Sequence, residues 1–221
     1  GTYLYGAKPS TAAVYYSTAV TAAAAFAAQR TVGESDFRIT ALTVWNGELL
    51  VGKEDGWYKY SNTRVEKMNV GMSDIPVSSN CAVSGVHMGA LWFGWNFSTQ
   101  MLAGGQVDRE AYYQGYRDMP QARRGVPSAY VGSVGWLFKA TDAGAGTSTI
   151  NAWNGFGWHE VFRAYGAGFR VRGCAWSAEL NSRSRLWIDI AGDMVYLEFP
   201  MNGATPLDDT SCVYQHDGYI E

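Results

Sequence analysis

The chain has 221 residues, of which 47% are hydrophobic and 17% charged, a composition that is typical of a globular protein and excludes intrinsic disorder. Its 17 Lys and Arg nearly balance its 20 Asp and Glu, so the net charge of -3 argues against nucleic-acid binding. The sequence contains no run of about 18 apolar residues, which excludes a transmembrane helix.

We expect that the start of the chain was processed or that the sequence is an excerpt of a longer chain, and the end is interpreted in the same way. The first residue is Gly1, and no charged segment followed by an apolar one comes after it, so we expect no signal peptide here. Residues 214–221 have the pattern of an opening strand. Neither end is therefore interpreted as a native terminus.

One segment near the start favours a helix. Residues Thr18 to Gln29 are rich in Ala, the residue with the highest helix propensity, so a helix is predicted locally. Elsewhere the 26 Gly, 14 Tyr, 9 Trp and 9 Phe indicate strands, because aromatic residues favour pleated surfaces and Gly supplies turns.

Paired strands are the dominant pattern of the remaining chain. An apolar run at 39–45 meets Asn46-Gly47 and a second run at 48–52. An Asn-Gly pair between two such runs predicts a hairpin, since both residues tolerate a positive φ. Similar pairs follow at 83–94 (through Gly89-Ala90), 129–140 and 172–189, and Tyr3 to Gly6 is interpreted as the second half of another copy.

The strand pairs recur with a regular spacing. Their second strands align on leucines 42 to 49 residues apart: Leu4, Leu49, Leu91, Leu137 and Leu186. Third strands are predicted at 57–60, 150–153 and 194–198, and a fourth at 158–162. Four short strands in a period of roughly 40 to 50 residues are typical of a β-propeller blade. A β-sandwich is the alternative, but it does not explain the repeat.

We therefore predict an all-β fold, namely a β-propeller or a large part of one, with about five four-stranded antiparallel blades. The whole chain, 1–221, forms one domain in this interpretation. The approximate blades are 1–36, 37–80, 81–125, 126–168 and 169–221. The first copy lacks a strand, so we expect the ring to be completed by further sequence or by partner chains.

Two segments resemble known propellers. Residues 48–58 resemble a strand pair of repeat propellers, and the pairing of 154–160 with 185–197 resembles propeller segments in tail or adsorption proteins of tailed bacteriophages. The resemblance spans roughly residues 37–200. It implies a non-enzymatic structural or adhesion component of a virion, located in an extracellular particle. The implied partners are other virion proteins in an oligomeric assembly and a host-surface glycan, with no membrane insertion.

Motifs for catalysis or metal binding are not recognisable. The three histidines (His87, His159 and His216) have no partner at metal-ligand spacing, and the three cysteines (Cys81, Cys174 and Cys212) are scattered without a CxxC pair. The sequence also lacks a Gly-x-Ser-x-Gly elbow and a phosphate-binding loop. We therefore predict no catalytic residue, no metal and no cofactor.

A carbohydrate-active propeller, either a sialidase-like glycosidase or a lectin, is the second hypothesis. Phe37 to Thr40 resembles the sialidase Phe-Arg-Ile-Pro motif but has Thr40 in place of Pro, and Tyr15 to Phe26 resembles a degenerate Asp-box in which Ala19 replaces the Asp. A glycosidase needs two carboxylates across a cleft. The candidates are Asp36, Glu54, Asp55, Asp142, Asp189 and Asp193. A sensor propeller attached to a signalling domain is a third hypothesis.

The nine tryptophans and one Arg-rich segment complete the candidate surfaces. Most tryptophans are expected to fill the space between blades. Trp95 and Trp153 lie near predicted turns and are the candidates for ligand contact. The segment Arg117 to Arg124 is interpreted as a connecting loop with a solvated face or salt bridges between subunits.

Overall fold

Every regular element that the structure describes is a β-strand, in agreement with the predicted all-β fold. The structure is a computed structural model and describes residues 3–8, 11–18, 26–61, 63–68, 75–96, 98–103, 106–108, 126–133, 135–142, 147–153, 155, 158–166, 168–178 and 183–200. The predictions that concern the Arg-rich segment 117–124, Cys212, His216 and residues 214–221 lie outside these residues.

The strands form five small antiparallel sheets, each built from strands that are consecutive in the chain. The first sheet contains β1 (Leu4–Ala7), β2 (Ala13–Ser17) and β3 (Ala27–Thr31). The second contains β4 (Ile39–Trp45), β5 (Glu48–Lys53), β6 (Gly56–Tyr60) and β7 (Val65–Lys67). The third contains β8 (Ser84–His87), β9 (Ala90–Trp95), β10 (Ser98–Ala103) and β11 (Gln106–Asp108).

The last two sheets continue the same order. The fourth contains β12 (Val126–Gly132), β13 (Leu137–Asp142), β14 (Thr147–Trp153) and β15 (Trp158–Tyr165). The fifth contains β16 (Val171–Ala178), β17 (Arg183–Ile190) and β18 (Asp193–Pro200). The first and fifth sheets thus have three strands among the described residues, where four per repeat were predicted.

The predicted hairpins are present, with one local difference. The turn between β4 and β5 is Asn46-Gly47, with φ of 52° and 76°, as predicted. The turn between β8 and β9 lies one residue earlier than predicted, at Met88-Gly89, where φ is 49° and 77°. Ala90 instead begins β9, because its side chain is buried against the core.

Two sequence predictions for the first repeat are wrong. Ala27 to Gln29 belong to strand β3, where β3 pairs with β2, so tertiary pairing overrides the helix propensity of Ala in this part of the predicted helix. Residues 19–25 lie outside the described part of the chain. Leu4 lies in the first strand of its sheet, whereas the other aligned leucines lie in second strands.

A backbone irregularity recurs at equivalent positions. The pairing of each first strand with its neighbour shifts register near the start of β4, β12 and β16, between Ile39 and Ala41, Pro127 and Ala129, and Val171 and Gly173. A bulge inserts one extra residue and increases the local twist of a strand. The second, fourth and fifth sheets therefore share a structural detail that their sequences do not reveal.

The first strands of successive sheets lie beside one another. β1 contacts β4, β4 contacts β8, β8 contacts β12, and β12 contacts β16. The approach of β8 to β12 is close enough to require Gly, because a Cβ on Gly85 would lie 2.8 Å from the Tyr130 carbonyl oxygen. A Cβ on Gly132 would likewise lie 2.8 Å from the Val86 carbonyl oxygen.

Each pair of neighbouring sheets encloses its own apolar core. Val14 and Val51 are buried between the first and second sheets, Leu50 and Phe93 between the second and third, Trp92 and Leu137 between the third and fourth, and Ile150 and Ile188 between the fourth and fifth. Both faces of the second, third and fourth sheets are therefore packed. This arrangement leaves binding surfaces mainly at strand ends and turns.

Candidate ligand-binding groove

An open groove of about 650 Å³ lies where β1 meets the end of the second sheet. We call it the tyrosine groove. Its lining comprises Tyr3 and Tyr5 beside β1, residues of the β4–β5 hairpin, and residues of the β6–β7 hairpin: Val44, Gly47, Glu48, Leu49, Lys59, Tyr60, Ser61, Thr63, Arg64 and Glu66. One part of this lining is aromatic and the other is charged.

The aromatic part follows from the alternation of side chains along two strands. Tyr3 and Tyr5 are two residues apart and lie on one face, and Tyr60 projects from the facing side of β6. The Tyr5 and Tyr60 ring centroids are 6.0 Å apart at an interplanar angle of 76°, an edge-to-face contact. Tyr3 packs against Tyr5 at 6.1 Å and against Tyr16 at 5.6 Å, and it remains 40% exposed.

Tyr60 carries a polar group without a partner. Its side chain is 6% exposed, and its buried hydroxyl makes no hydrogen bond. Burial raises the pKa of Tyr60, so the hydroxyl stays protonated and can both donate and accept a hydrogen bond. Unpaired buried hydroxyls are costly, which makes this group a feature of interest at the groove.

The charged part consists of two ion pairs. Lys59 Nζ lies 2.8 Å from Glu48 Oε2, and an Arg64 Nη lies 3.0 Å from Glu66 Oε2. All four side chains are exposed, so the pairs contribute little to stability. They do balance the charge of the groove, because each cation in its described lining has an anionic partner.

The hairpin that carries Arg64 is held in place. The Ser61 N–H donates to the Arg64 carbonyl at 2.8 Å, and the Arg64 N–H donates to Ser61 Oγ at 2.9 Å. Arg30, on β3 of the first sheet, donates from Nη1 to the Thr63 carbonyl at 2.8 Å. This bond ties the hairpin to the neighbouring sheet.

Neither tryptophan that the sequence suggested for ligand contact lies in the tyrosine groove. Trp95 is buried at the end of β9, in the core between the second and third sheets. Trp153 is half-buried, with its ring centroid 5.9 Å from that of Trp92 and 5.6 Å from that of Trp158. Ligand contact by these two residues stays a prediction.

The same tryptophan cluster surrounds a buried lysine. Lys139 Nζ lies 4.5 Å from the centroid of the Trp158 ring, a cation–π geometry. Burial lowers the pKa of Lys139 to about 7. A partly neutral amine is a nucleophile in principle, but Lys139 is only 2% exposed.

Most of the carboxylates proposed for glycosidase chemistry have structural partners. Asp55 Oδ2 accepts hydrogen bonds from the Tyr58 hydroxyl at 2.6 Å and from Lys67 Nζ at 3.0 Å. Asp142 pairs with Arg170, and Asp189 accepts from the Gly192 N–H at 2.9 Å in the β17–β18 turn.

Two further candidates have similar local roles, and the sixth, Asp193, is exposed at the start of β18. Glu54 accepts from the backbone N–H of Arg38 at 3.2 Å, at the entry to β4, and Asp36 accepts from the Ser35 hydroxyl at 3.4 Å. Within the part of the chain that the structure describes, no three His, Cys, Asp or Glu side chains cluster as metal ligands. The described residues also include no helix of the length and apolar character needed to cross a membrane.

The sequence contains a residue pattern that partly indicates the groove and that the sequence predictions did not use. Tyr3 and Tyr5, and again Tyr58 and Tyr60, stand two residues apart in strand-forming segments, so each pair lies on one face of its strand. That spacing identifies two aromatic faces. It does not indicate that they meet, because Tyr5 and Tyr60 are more than 50 positions apart in the chain.

The comparisons with known proteins bear on the fold. No family model matches the chain, and no curated protein sequence is similar to it. Similar solved structures include a chain of the Mitotic Checkpoint Complex, with a TM-score of 0.57, 12% identity and 91% of this chain covered. The extracellular domain of BT4673 from B. thetaiotaomicron has a TM-score of 0.60, 11% identity and 89% coverage. A chain of the COPII outer coat vertex on membranes has a TM-score of 0.52, 10% identity and 90% of this chain covered.

These neighbours are β-propeller or WD40-like proteins. The likeness shows the fold alone. The chain spans 60%, 26% and 58%, respectively, of the length of these structures, which is less than two thirds in each case. The sequence prediction of a propeller-type repeat fold is thus supported, whereas none of these neighbours is a phage tail protein.

Proposed function

We propose that this chain is a rigid, non-enzymatic binding scaffold that serves as a structural or adhesion component of a phage-like virion, in its tail or receptor-binding region. The observation that carries the proposal is the packing. Each neighbouring pair of sheets shares an apolar core, and an open groove lies at the surface. A stiff frame with a surface groove suits recognition of a partner more than it suits movement during catalysis.

Two further points support an assembly role. The pairing of segments 154–160 and 185–197 resembles propeller segments of tailed-phage structural proteins. In addition, two of the similar solved structures are described as parts of larger assemblies, the Mitotic Checkpoint Complex and the COPII outer coat on membranes. We propose about five blades, completed to a ring by further sequence or by partner chains, and an extracellular particle as the location.

Mass spectrometry of density-purified virus-like particles from the source tests this proposal. We expect peptides of residues 1–221, and of the sequence that flanks them, in stoichiometric amounts in the particle fraction. A free soluble protein that is absent from the particles would contradict the virion assignment. Disruption of the particles, followed by repetition of the density step, controls for proteins that merely adhere to them.

A secreted carbohydrate-active propeller is the second candidate, and the tyrosine groove is the observation that favours it. Aromatic rings beside carboxylates are common in sugar-binding sites, and Glu48 and Glu66 both line the groove. A glycosidase would release the chromophore from neutral chromogenic glycosides and lose that activity on Glu48→Gln or Glu66→Gln substitution. If the parent protein releases no chromophore, the glycosidase hypothesis is wrong and the lectin hypothesis remains.

A further inference from the structure

The tyrosine groove has the features of a site for an uncharged, hydroxyl-rich chain. We propose that it binds a neutral saccharide, stacked on Tyr3 and hydrogen-bonded by the side chains of the β4–β5 and β6–β7 hairpins. The proposal rests on the scaffold function above and deepens it by naming the ligand class. Four independent features of the groove support it.

The first feature is an exposed aromatic ring that is held in place. Tyr3 is 40% exposed, and contacts with Tyr5 and Tyr16 fix its orientation. The apolar C–H face of a pyranose packs on such a ring, and a ring that is already ordered loses little conformational entropy on binding. Nearby Val44 is 64% exposed and extends the apolar surface.

The second feature is charge balance. Lys59 with Glu48, and Arg64 with Glu66, form two ion pairs in the groove lining. An anionic sugar would have to displace a carboxylate from its cation, whereas a neutral sugar can use the remaining donor and acceptor sites of both groups. The groove therefore favours neutral chains over sialylated or sulfated ones.

The third feature is the unpaired hydroxyl of Tyr60, a residue that is 94% buried and lines the groove. A buried hydroxyl without a partner is unusual in a folded protein. Because the oxygen itself is buried beneath the groove surface, the Tyr60 ring or a neighbouring side chain has to shift before a ligand hydroxyl supplies the missing hydrogen bond. Polyhydroxylated ligands satisfy this requirement, and hydrocarbon ligands do not.

The fourth feature is size and stiffness. The volume of about 650 Å³ falls within the range of about 300–1,000 Å³ that is typical of small-molecule sites. The Arg30 bond to the Thr63 carbonyl anchors the β6–β7 hairpin to β3 before the ligand arrives.

A glycan array with the purified chain tests the proposal. The array carries neutral hexose and N-acetylhexosamine oligomers beside sialylated and sulfated forms of the same chains. We expect binding to neutral oligomers, and Tyr3→Ala should weaken it by about tenfold, because stacking on an aromatic ring is lost. Tyr165→Ala is the matched control, since Tyr165 is 67% exposed on β15 in a different sheet. It should bind like the parent.

A second variant guards against loss of fold in Tyr3→Ala. The double change Glu48→Ala and Lys59→Ala removes both members of one exposed ion pair, so no unpaired charge is left and folding should be unaffected. We expect it to weaken binding severalfold while the tryptophan emission of the protein stays unchanged. Saturation-transfer NMR with a bound oligomer should show contact between sugar C–H protons and aromatic protons.

Several outcomes would overturn the proposal. They are no binding to any neutral oligomer, binding confined to sialylated or sulfated chains, or equal binding by the parent and both groove variants. These outcomes are separable from failure of the virion assignment. If the protein is present in particles but binds no neutral sugar, only the saccharide inference is wrong. If it is a soluble lectin that binds neutral sugar through Tyr3, only the virion assignment is wrong.

Discussion

At the scale of single residues, the polar groups that sheet packing buries are the most informative. Lys53 is fully buried, and its Nζ donates to the Val32 carbonyl at 2.5 Å and to the Glu34 carbonyl at 2.6 Å. These two bonds hold the connection from the first sheet against the second. The pKa of Lys53 is lowered, chiefly because burial disfavours the charged amine, with Asp55 opposing the shift.

We expect Lys53→Met to destabilise the protein by about 1–3 kcal/mol, since the substitution leaves two carbonyls without their donor. Urea unfolding measures the free-energy change. The matched control is Lys59→Met on the next strand, where the lysine is exposed and its ion pair should contribute less than about 1 kcal/mol. Equal losses for the two variants would show that the Lys53 bonds do not hold the sheets together.

A second residue-scale prediction concerns acid stability. His87 is 6% exposed, its Nε2 has no hydrogen-bond partner, and burial lowers its pKa. As the pH falls below about 6.5, the unfolded chain takes up the proton before the folded one does. The free energy of unfolding therefore decreases in this range.

The variant His87→Asn should lose this part of the acid dependence, while the contributions of carboxylates cancel in the comparison with the parent. Urea denaturation at several pH values between 7 and 5 measures it, with His159→Asn at an exposed strand position as the control. If the parent and His87→Asn have parallel pH profiles, the buried imidazole does not control the dependence.

At the scale of elements, the hairpin turns show how well each turn residue suits the backbone conformation of its position. Both turn residues between β4 and β5 have positive φ, and Asn46-Gly47 suits them. The β8–β9 turn has the same conformation but places Met88 at φ 49° with 83% of its side chain exposed. A left-handed Met without packing contacts is a local cost that the fold tolerates.

Met88→Asn should therefore stabilise the protein by about 1 kcal/mol, because Asn tolerates the left-handed conformation and little packing is lost. Thermal unfolding provides the measurement. The same substitution at Met194, which is exposed within strand β18, should have the opposite sign, since Asn is disfavoured in strands. A loss of stability in Met88→Asn would mean that the turn is not strained.

At the scale of the whole molecule, the close approach of first strands determines how the sheets pack. Gly85 on β8 and Gly132 on β12 leave no space for a Cβ, because backbone carbonyl oxygens of the facing strand lie 2.8 Å from where it would be. Side chains then fill the wider space between the sheets. This arrangement explains why the sheets pack as a series with a core in each gap.

Gly85→Ala and Gly132→Ala should each destabilise the protein by about 1–3 kcal/mol through overpacking of backbone against backbone. Gly173→Ala on β16 is the matched control, because a Cβ there meets no atom within 4 Å. It should be neutral or stabilising by up to about 1 kcal/mol, as it reduces the freedom of the unfolded chain. Urea unfolding of the three variants distinguishes the two effects. Similar small changes in all three would argue against a tight β8–β12 contact.

Local features of this protein could be predicted from its sequence. The second strands of the last four repeats, three of the third strands, one fourth strand, the Asn46-Gly47 turn and the repeat spacing could be predicted. They follow from the period of two along a strand and from the backbone freedom of Gly and Asn. The propeller-type fold could be inferred from the same spacing, because a sheet of four short strands needs neighbours to cover its faces.

Only the tertiary structure decided which faces meet. Alternation along a strand divides its side chains between two faces but does not say which neighbour covers each face. The meeting of Tyr5 with Tyr60, the burial of Lys53 beneath the Val32 and Glu34 carbonyls and the burial of Trp95 all depend on contacts between different segments of the chain. The tyrosine groove belongs to this second class, because its two sides lie on different sheets and exist as a surface only after those sheets have packed.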